Sequence, residues 1–330
     1  MIVIARCPCR ISLLGGSTDL DWFLKEKGRG YCLGFSVPIF SRVAIGFRVG
    51  NHKRGILNYS SREEYTNVES ITHPIIRACL EKYSLDNPIE LASFGDAFMG
   101  AGLGSSSSFV VALIKAINQL LLTPLNNKEA ARAACDLEIN DLRNPIGSQD
   151  QYLCALGGIN FIEFYNNSKV NTFNFPLIEK TIQNYSRKLF LINTFISRSA
   201  SKQLSQIKDK KSSIDSIEEI LNITDRFIDN SKDLKNENEI IINLEEAIQN
   251  SWEVKKTMKG VFNDELELIE KELIKLDFKL LKVLGAGGGG YLLVKYKGNN
   301  LDEDFKKVNQ MKLNISPVKI SKEGCETWEI

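Results

Sequence analysis

Hydrophobic and polar positions alternate differently along the chain, and the changes predict its elements. Apolar residues at every second position predict strands, and apolar residues at every third or fourth position predict helices. The predicted strands are residues 2–6 and 10–14, broken at Pro8, and then 36–47, 89–94, 158–164, 189–195 and 291–295. The predicted helices are residues 74–83, 109–122, 128–142 with a cap near Asn126 or Asn127, 151–156 and most of 201–275. This mixed order of strands and helices indicates an α+β fold.

Length and one change in composition indicate the domain organisation. The 330 residues, 43% of them hydrophobic, suffice for one or two cores. A polar, Asn-rich stretch near residues 165–188 is the best candidate for a boundary. We therefore predict two domains, residues 1–175 and 176–330.

Charge and cysteine content exclude several classes of function. With 42 basic and 41 acidic residues, the chain has no overall field that attracts nucleic acid or an acidic membrane. Seven scattered cysteines and two histidines lack the spacing of a zinc site, so we expect free, mostly buried thiols and a cytoplasmic location. The apolar N-terminal run contains Arg6 and Arg10, and no segment reaches the ~18 uncharged apolar residues of a spanning helix. We expect neither a signal peptide nor a membrane segment.

A segment rich in glycine and serine precedes the apolar helix predicted at 109–122. It consists of Gly100, Ala101, Gly102, Leu103, Gly104, Ser105, Ser106, Ser107 and Ser108. Glycines allow a curled backbone and a close ligand, and unpaired N–H groups at a helix start attract anions. The lysine of a Walker A loop is missing. The segment predicts a polyphosphate-binding loop of another kind, and the alternative is a turn that only caps a core helix.

A second glycine run covers residues 285–290 and matches the spacing GxGxxG. A dinucleotide-binding fingerprint opens a helix, whereas this run leads into the strand predicted at 291–295. We interpret it as backbone that must lie against a ligand or another loop.

Three charged residues are candidates for phosphoryl-transfer chemistry. Glu138 lies on the helix predicted at 128–142, and Asp150 ends a predicted loop at 147–150 that could return it to the glycine loop. One carboxylate could bind Mg²⁺ while the other accepts or orients a hydroxyl proton. Arg10 interrupts an apolar strand, where a charge must be paired or functional. The alternatives are ordinary surface acids and, for Arg10, a structural salt bridge.

Three ordered segments resemble the signatures of one superfamily. Residues 7–20 (CPCRISLLGGSTDL), 100–107 and 284–290 are similar to the three signatures of the GHMP kinases, which include galactokinase, homoserine kinase, mevalonate kinase and phosphomevalonate kinase. Within the superfamily, the chain most resembles bacterial D-glycero-D-manno-heptose 7-phosphate kinases. One departure is Phe98-Met99, where the family usually has a proline before Gly100.

The resemblance implies an ATP- and Mg²⁺-dependent kinase with two domains, one of a type shared with a ribosomal protein and one ferredoxin-like. At the matching positions, the catalytic residues are Asp150 and Arg10, and the metal ligands are Glu138 and Ser106. Residues 100–107 bind ATP. The predicted substrate residues are Gly16, Ser17, Thr18, Asp19, Gln149 and Gly287.

Two basic residues are our candidates for recognising a second phosphate on the substrate. Arg198 follows a predicted strand, and Lys255 lies on a predicted helix. Phosphate recognition favours arginine and lysine. The alternative is that each is an ordinary surface charge.

The implied reaction transfers the γ-phosphoryl group of ATP to the anomeric hydroxyl of a heptose 7-phosphate. One alternative acceptor is an unphosphorylated sugar such as fucose or galactose. An alternative of another class is a nucleotide- or sugar-binding regulator without turnover. The expected partners are ATP and a small sugar phosphate, without nucleic acid or membrane, and a homodimer is left open.

Overall fold

The structure, a computed structural model, describes residues 1–50, 52–98, 100–196, 210–234 and 236–330. The described strands are β1 (Ile2–Leu14), β2 (Arg29–Phe47), β3 (Gly55–Asn58), β4 (Arg62–Tyr65), β5 (Ile89–Gly95), β6 (Ile159–Tyr165), β7 (Val170–Phe173), β8 (Leu189–Asn193), β9 (Phe278–Val283), β10 (Tyr291–Tyr296), β11 (Asn314–Pro317) and β12 (Glu326–Glu329). The described α-helices are α1 (Asp21–Lys27), α2 (Pro74–Lys82), α3 (Ser105–Leu120), α4 (Asn127–Cys135), α5 (Gln149–Leu156), α6 (Pro176–Tyr185), α7 (Lys210–Asp233), α8 (Glu237–Lys256), α9 (Asp264–Lys275) and α10 (Leu301–Gln310). Two sheets with packed helices make an α+β fold, as predicted.

The first sheet has the strand order β12-β1-β2-β5-β3-β4, with β6 beside β2 and β7 beside β6. Strand β2 pairs with two strands along one edge: residues 29–35 pair with β6, and residues 41–47 pair with β5. The predicted break at Pro8 is wrong, since β1 continues through it. Pro8 lies at a shift of register between β1 and β2, and such an irregularity tolerates a residue without an N–H group.

Helix α3 packs on β1 and β2 and is almost entirely buried. It begins at Ser105, so the serines form its first turn ahead of the apolar residues predicted at 109–122. Its apolar positions from Val110 to Leu120 join the same core cluster as Val43 and Ile45 of β2. This packing fixes the start of α3, and with it the glycine loop, against β1.

The second sheet is antiparallel, with the order β11-β8-β10-β9. Helices α8 and α9 pack against β9, and α6 and α7 pack against α8. Leu244, Ile248 and Trp252 of α8 are buried in the core cluster that also contains Leu281 and Leu293 of the sheet. The C-terminal end of α8 also reaches β1 of the first sheet.

The stretch proposed as a domain boundary has secondary structure of its own. Strand β7 and helix α6 lie within residues 165–188, and α6 buries Ile178, Ile182 and Tyr185. The division at 175/176 falls between these two elements and stays a prediction. Strand β12 returns to the first sheet, where it pairs with residues 3–6 of β1.

The seven cysteines lie in the described part of the chain, and each is a buried free thiol, as predicted. None of the described helices combines the length and the apolar character that crossing a bilayer requires.

Candidate active site

A cleft of about 510 Å³ opens where the end of β1, the start of α3, helix α5 and the C-terminal end of α8 meet. Most of the site residues predicted from the sequence line it: Arg10, Gly16, Ser17, Asp19, Gly100, Gly102, Gly104, Ser105, Ser106, Ser107, Glu138, Gln149, Asp150, Lys255 and Gly287. Ala101 and Leu103 are buried within the loop and Thr18 is buried behind the wall. Arg198 lies outside the described residues.

The serines after the glycine loop have different positions. The hydroxyl of Ser108 donates to the Cys7 carbonyl oxygen at 2.8 Å, and that of Ser105 donates to Phe98 O at 3.3 Å. Ser106 and Ser107 line the cleft at the first turn of the 16-residue helix α3. The unpaired N–H groups and the positive dipole end of α3 therefore meet the cleft, a suitable place for phosphate oxygens.

The two glycine runs lie against each other. A Cβ atom built on Gly102 would be 2.5 Å from the carbonyl oxygen of Leu284, and one built on Gly285 would be 2.6 Å from the Cα atom of Gly102. The Tyr291 N–H donates to Ala101 O at 3.0 Å across the same contact. The sequence left open whether the second glycine run lies against a ligand or against another loop, and in the structure it lies against the first glycine run. Side chains at these positions would push the two runs apart.

Phe98, the departure from the family pattern, stacks its ring on that of Tyr291, with centroids 6.4 Å apart. Tyr291 opens β10, directly after the second glycine run. The aromatic pair therefore adds a side-chain contact between the glycine loop and the second sheet.

Arg10 and Asp150 form a bidentate pair in the cleft. Arg10 Nε and Nη2 donate to the two carboxylate oxygens of Asp150 at 2.7 and 2.6 Å, and Nη1 donates to Gly102 O at 2.6 Å. The side chain of Arg10 is 4% exposed and that of Asp150 is 27% exposed, so the carboxylate is the more accessible partner. The predicted loop at 147–150 is wrong at its end, because Gln149 and Asp150 form the first turn of α5.

Glu138 reaches the cleft from an irregular part of its helix. The predicted helix 128–142 ends as an α-helix at Cys135, and a π-helical turn, Asp136–Asp141, follows it. In this turn the Leu142 N–H donates to Leu137 O at 2.9 Å. Such turns hold an extra residue and are frequent at functional sites.

The environment of Glu138 favours its neutral form. Burial raises the pKa of Glu138 to about 7, and the nearby charge of Asp150 adds to this rise. Hydrogen bonds from Gln151 and Ser107 partly offset it, the former at 2.6 Å from Gln151 Nε2. A divalent cation here would restore the ionised carboxylate.

The cleft has donors that suit Mg²⁺. The ion prefers oxygen ligands, retains water and is held by one or two carboxylates plus substrate phosphates. Glu138 and the hydroxyls of Ser106 and Ser107 fit this set. The described residues contain no cluster of three or more His, Cys, Asp or Glu side chains that could hold an ion by themselves. Phosphate oxygens and water would therefore complete the coordination.

The turn after β1 forms another wall of the cleft. Asp19 accepts hydrogen bonds from the backbone N–H and the Nε2 of Gln149, at 2.8 and 2.9 Å. Ser12 Oγ donates to Gln149 Oε1 at 2.9 Å and fixes the orientation of the amide. Burial raises the pKa of Asp19 to about 6. Thr18 is not exposed to the cleft, since its hydroxyl lies 2.8 Å from the carbonyl oxygens of Gly15 and Tyr31 and stabilises the turn.

Two lysines complete this wall, and the sequence identified only one of them. Lys255 Nζ donates to Gly285 O at 2.8 Å, and Lys282 Nζ donates to Leu13 O at 3.0 Å. Both side chains line the cleft although they are 7% and 6% exposed. Burial, with repulsion from Arg10, lowers the pKa of Lys255 to about 8. Burial, with repulsion from Lys255, lowers the pKa of Lys282 to about 7.

Comparisons with known proteins identify relatives of this chain. The family profile of the GHMP kinases N terminal domain matches residues 70–158. A relative, the D-glycero-alpha-D-manno-heptose 7-phosphate kinase of Campylobacter jejuni, is 28% identical, and the match covers 98% of each chain. The N-terminal part of the chain, residues 70–158, belongs to the GHMP kinase superfamily. As a GHMP kinase, the chain is an ATP-dependent phosphotransferase, as predicted.

Solved structures show the same fold. The D-glycero-D-manno-heptose 1-phosphate kinase of Bacteroides thetaiotaomicron superposes with a TM-score of 0.71 at 21% identity, covering 99% of each chain. Lactococcus lactis galactokinase, complexed with galactose, superposes with a TM-score of 0.72 at 16% identity, covering 98% of this chain and 95% of the galactokinase. The predicted GHMP kinase fold is confirmed.

Proposed function

We propose that this GHMP kinase transfers the γ-phosphoryl group of ATP to the anomeric hydroxyl of a heptose 7-phosphate. The observation that carries the proposal is the Arg10–Asp150 pair, which lies between the phosphate loop and the Asp19–Gln149 contact in one cleft. The similarity to a D-glycero-alpha-D-manno-heptose 7-phosphate kinase over 98% of the chain supports the choice of acceptor.

The donor end of the cleft suits the phosphates of ATP. Backbone N–H groups of the glycine loop and of the first turn of α3 bind the phosphate oxygens. Glu138 and Ser106 would hold Mg²⁺, which would neutralise charge on the phosphates. The tight contact between Gly102 and Gly285 holds the loop in shape before the nucleotide arrives.

Transfer itself requires charge stabilisation and a proton acceptor. The anomeric oxygen forms a bond to the γ-phosphorus, the bond between that phosphorus and the bridging oxygen breaks, and ADP leaves. Asp150 accepts or orients the proton of the attacking hydroxyl. Arg10 orients Asp150 through two hydrogen bonds and offers positive charge to the phosphoryl oxygens.

The acceptor end has groups that suit a sugar. Asp19 and Gln149 hold each other by two hydrogen bonds, so their remaining acceptors and donors are oriented for sugar hydroxyls. Gly16, Ser17 and Gly287 line the space beside them. Thr18 supports the turn behind them.

The proposal is tested by measuring ADP release with ATP and a panel of acceptors: D-glycero-D-manno-heptose 7-phosphate, the free heptose, galactose and fucose. We expect the highest kcat/KM for the 7-phosphate, with a phosphorus NMR signal of a new anomeric phosphate. A higher kcat/KM for a free sugar would replace the proposal with the free-sugar kinase. Failure to release ADP with any acceptor would favour the regulator instead.

The metal site is tested separately with Glu138→Gln. The variant keeps the shape of the side chain but removes the charge, so we expect the Mg²⁺ concentration for half-maximal activity to rise about 10-fold or more. Asp141→Asn at the exposed end of the same turn is a control and should keep the wild-type requirement. An unchanged Mg²⁺ requirement in Glu138→Gln would remove this residue from the metal site.

A further inference from the structure

Lys255 and Lys282 are two buried cations without an acidic partner among the described residues. Each donates one hydrogen bond, to a backbone carbonyl oxygen, and neither lies within 4.0 Å of a described carboxylate oxygen. An ammonium group has three N–H donors, so most of the donor capacity of the pair is left over. Arg10, the third cation of the cleft, differs because Asp150 neutralises it.

Keeping two such groups buried costs free energy. An unpaired buried charge is disfavoured, and two like charges that repel each other are disfavoured further. Lys282 lies between the core residues Leu281 and Val283 on β9, and its own side chain is only 6% exposed. The arrangement is consistent with a site that is completed by an anion.

The position of the pair indicates which anion it receives. A Cβ atom built on Gly16 would lie 3.7 Å from Lys255 Nζ, and Lys282 Nζ binds the carbonyl of Leu13, just before the same turn. Both ammonium groups therefore adjoin the turn that carries Asp19, at the acceptor end, and Lys255 Nζ also donates to Gly285 O of the second glycine run. The donor end already has the N–H groups of the start of α3 for nucleotide phosphates.

We propose that Lys255 and Lys282 form the subsite for the phosphate monoester of the acceptor. The inference rests on the proposed function and identifies the residues that distinguish a phosphorylated sugar from a free one. A phosphate monoester carries a charge of about −1.5 to −2 at neutral pH, which two ammonium groups balance. Lysine binds such a group as a compact point charge with several donors.

The experiment compares Lys255→Met and Lys282→Met with a matched control, Lys279→Met. Lys279 lies three residues before Lys282 on the same strand, but its ammonium donates to Gln249 Oε1 away from the cleft. For each variant, kcat/KM is measured with D-glycero-D-manno-heptose 7-phosphate and with the free heptose, and the Kd of a non-hydrolysable ATP analogue and the Tm are recorded. Calorimetry gives the Kd of the 7-phosphate sugar without turnover.

We expect either cleft variant to lose about 10- to 100-fold in kcat/KM for the 7-phosphate, the usual effect of one hydrogen bond to a charged group. The loss for the free heptose should be several-fold at most, so the preference between the two sugars collapses. The Kd of the ATP analogue should not change, and the Tm of Lys282→Met should be equal to or above the wild-type value. Lys279→Met should keep the full preference.

The outcomes that overturn the inference differ from those that overturn the proposed function. Equal losses on both sugars with a lower Tm would mean that the lysines only support the fold. A weaker Kd for the ATP analogue would assign the pair to the nucleotide. A wild-type preference for the free heptose overturns the proposed function. Calorimetry then tests the lysine subsite on its own: an unchanged Kd of the 7-phosphate sugar in Lys255→Met and Lys282→Met overturns the inference.

Discussion

The two ends of the cleft are built in different ways. At the donor end, the contacts are between backbone atoms: Gly102 lies against Gly285, and the Arg10 N–H donates to Leu103 O at 2.9 Å. At the acceptor end, buried side chains that come from distant parts of the chain meet, namely Asp19, Gln149, Lys255 and Lys282. The donor end thus depends on the absence of side chains, and the acceptor end depends on their charge.

This difference matches what each end is proposed to bind. Nucleotide phosphates are the same in every reaction of an ATP-dependent kinase, and backbone N–H groups bind them without regard to neighbouring side chains. The acceptor varies between kinases, and specificity requires particular polar side chains with defined partners. Substitutions at the donor end should therefore disturb shape, and those at the acceptor end should disturb charge balance.

The largest effect should come from the residue that lies between the two ends. Asp150→Asn removes the proposed proton acceptor, and we expect turnover to fall about 10²- to 10⁴-fold. The amide can still accept one hydrogen bond from Arg10, so the affinity for an ATP analogue should change little. Asp21→Asn, in an exposed ion pair of α1, is the control. Turnover near the wild-type level in a folded Asp150→Asn variant would contradict the catalytic assignment.

An intermediate effect is expected from a methyl group placed at the donor end. Gly102→Ala combines a positive φ of 81° with a Cβ atom 2.5 Å from Leu284 O, so the glycine runs must separate. The affinity for an ATP analogue should fall about 10-fold or more, since overpacking costs roughly 1–3 kcal/mol. Calorimetry and a thermal melt measure both consequences.

The control for Gly102→Ala is Gly28→Ala. Gly28 has nearly the same φ, 80°, but no heavy atom lies within 4 Å of its added Cβ. Gly28→Ala should lose only about 1–2 kcal/mol of stability, through backbone strain, and should keep the nucleotide affinity. If both variants bind the analogue equally well, the contact between the glycine runs is not needed for the phosphate loop.

The smallest effect is a pH dependence of stability at the acceptor end. Burial lowers the pKa of Lys282 from 10.5 to about 7, so the folded state disfavours the proton that the unfolded state keeps. Below about pH 7 the lysine is charged in both the folded and the unfolded state, and burying that charge lowers the free energy of unfolding by its full amount. Between about pH 7 and 10.5 this loss of stability becomes smaller as pH rises, because the folded state has released the proton and releasing it costs less free energy at higher pH. The Tm of Lys282→Met should therefore exceed that of the wild type most at pH 6 and least at pH 9. A gap that widens with pH would contradict this assignment of charge.

The sequence identified most of the residues that line the donor end of the cleft and some of those that line the acceptor end. Glycines that permit close contact are contiguous in the sequence, so both runs could be recognised locally, and Arg10 stood out as a charge in an apolar strand. Lys282 interrupts an apolar segment in the same way, in the sequence FKLLKV, and that signal could have identified it. Whether such a lysine faces a cleft or solvent depends on the register of β9 with β10 and on the distant segment that ends at Leu13.

Other elements were missed because their stability is not local. Strand β12 has four residues and is held by its pairing with β1, more than 300 positions away in the sequence. Helix α1 has seven residues, too few for a periodic pattern to be distinctive. The sequence predicts one continuous helix at 128–142, whereas the structure has an α-helix followed by a π-helical turn. Periodicity cannot reveal where the acceptor of the backbone hydrogen bond changes from residue i−4 to residue i−5.

That change has a consequence for comparing this chain with its relatives. Each residue of an α-helix turns the chain by about 100°, so the extra residue in the turn at Asp136–Asp141 rotates everything after it relative to α4. A relative with an uninterrupted helix at this place would differ by a single-residue gap in an alignment. The insertion or deletion of one amino acid would then decide whether the carboxylate of Glu138 faces the cleft, without a change in any loop.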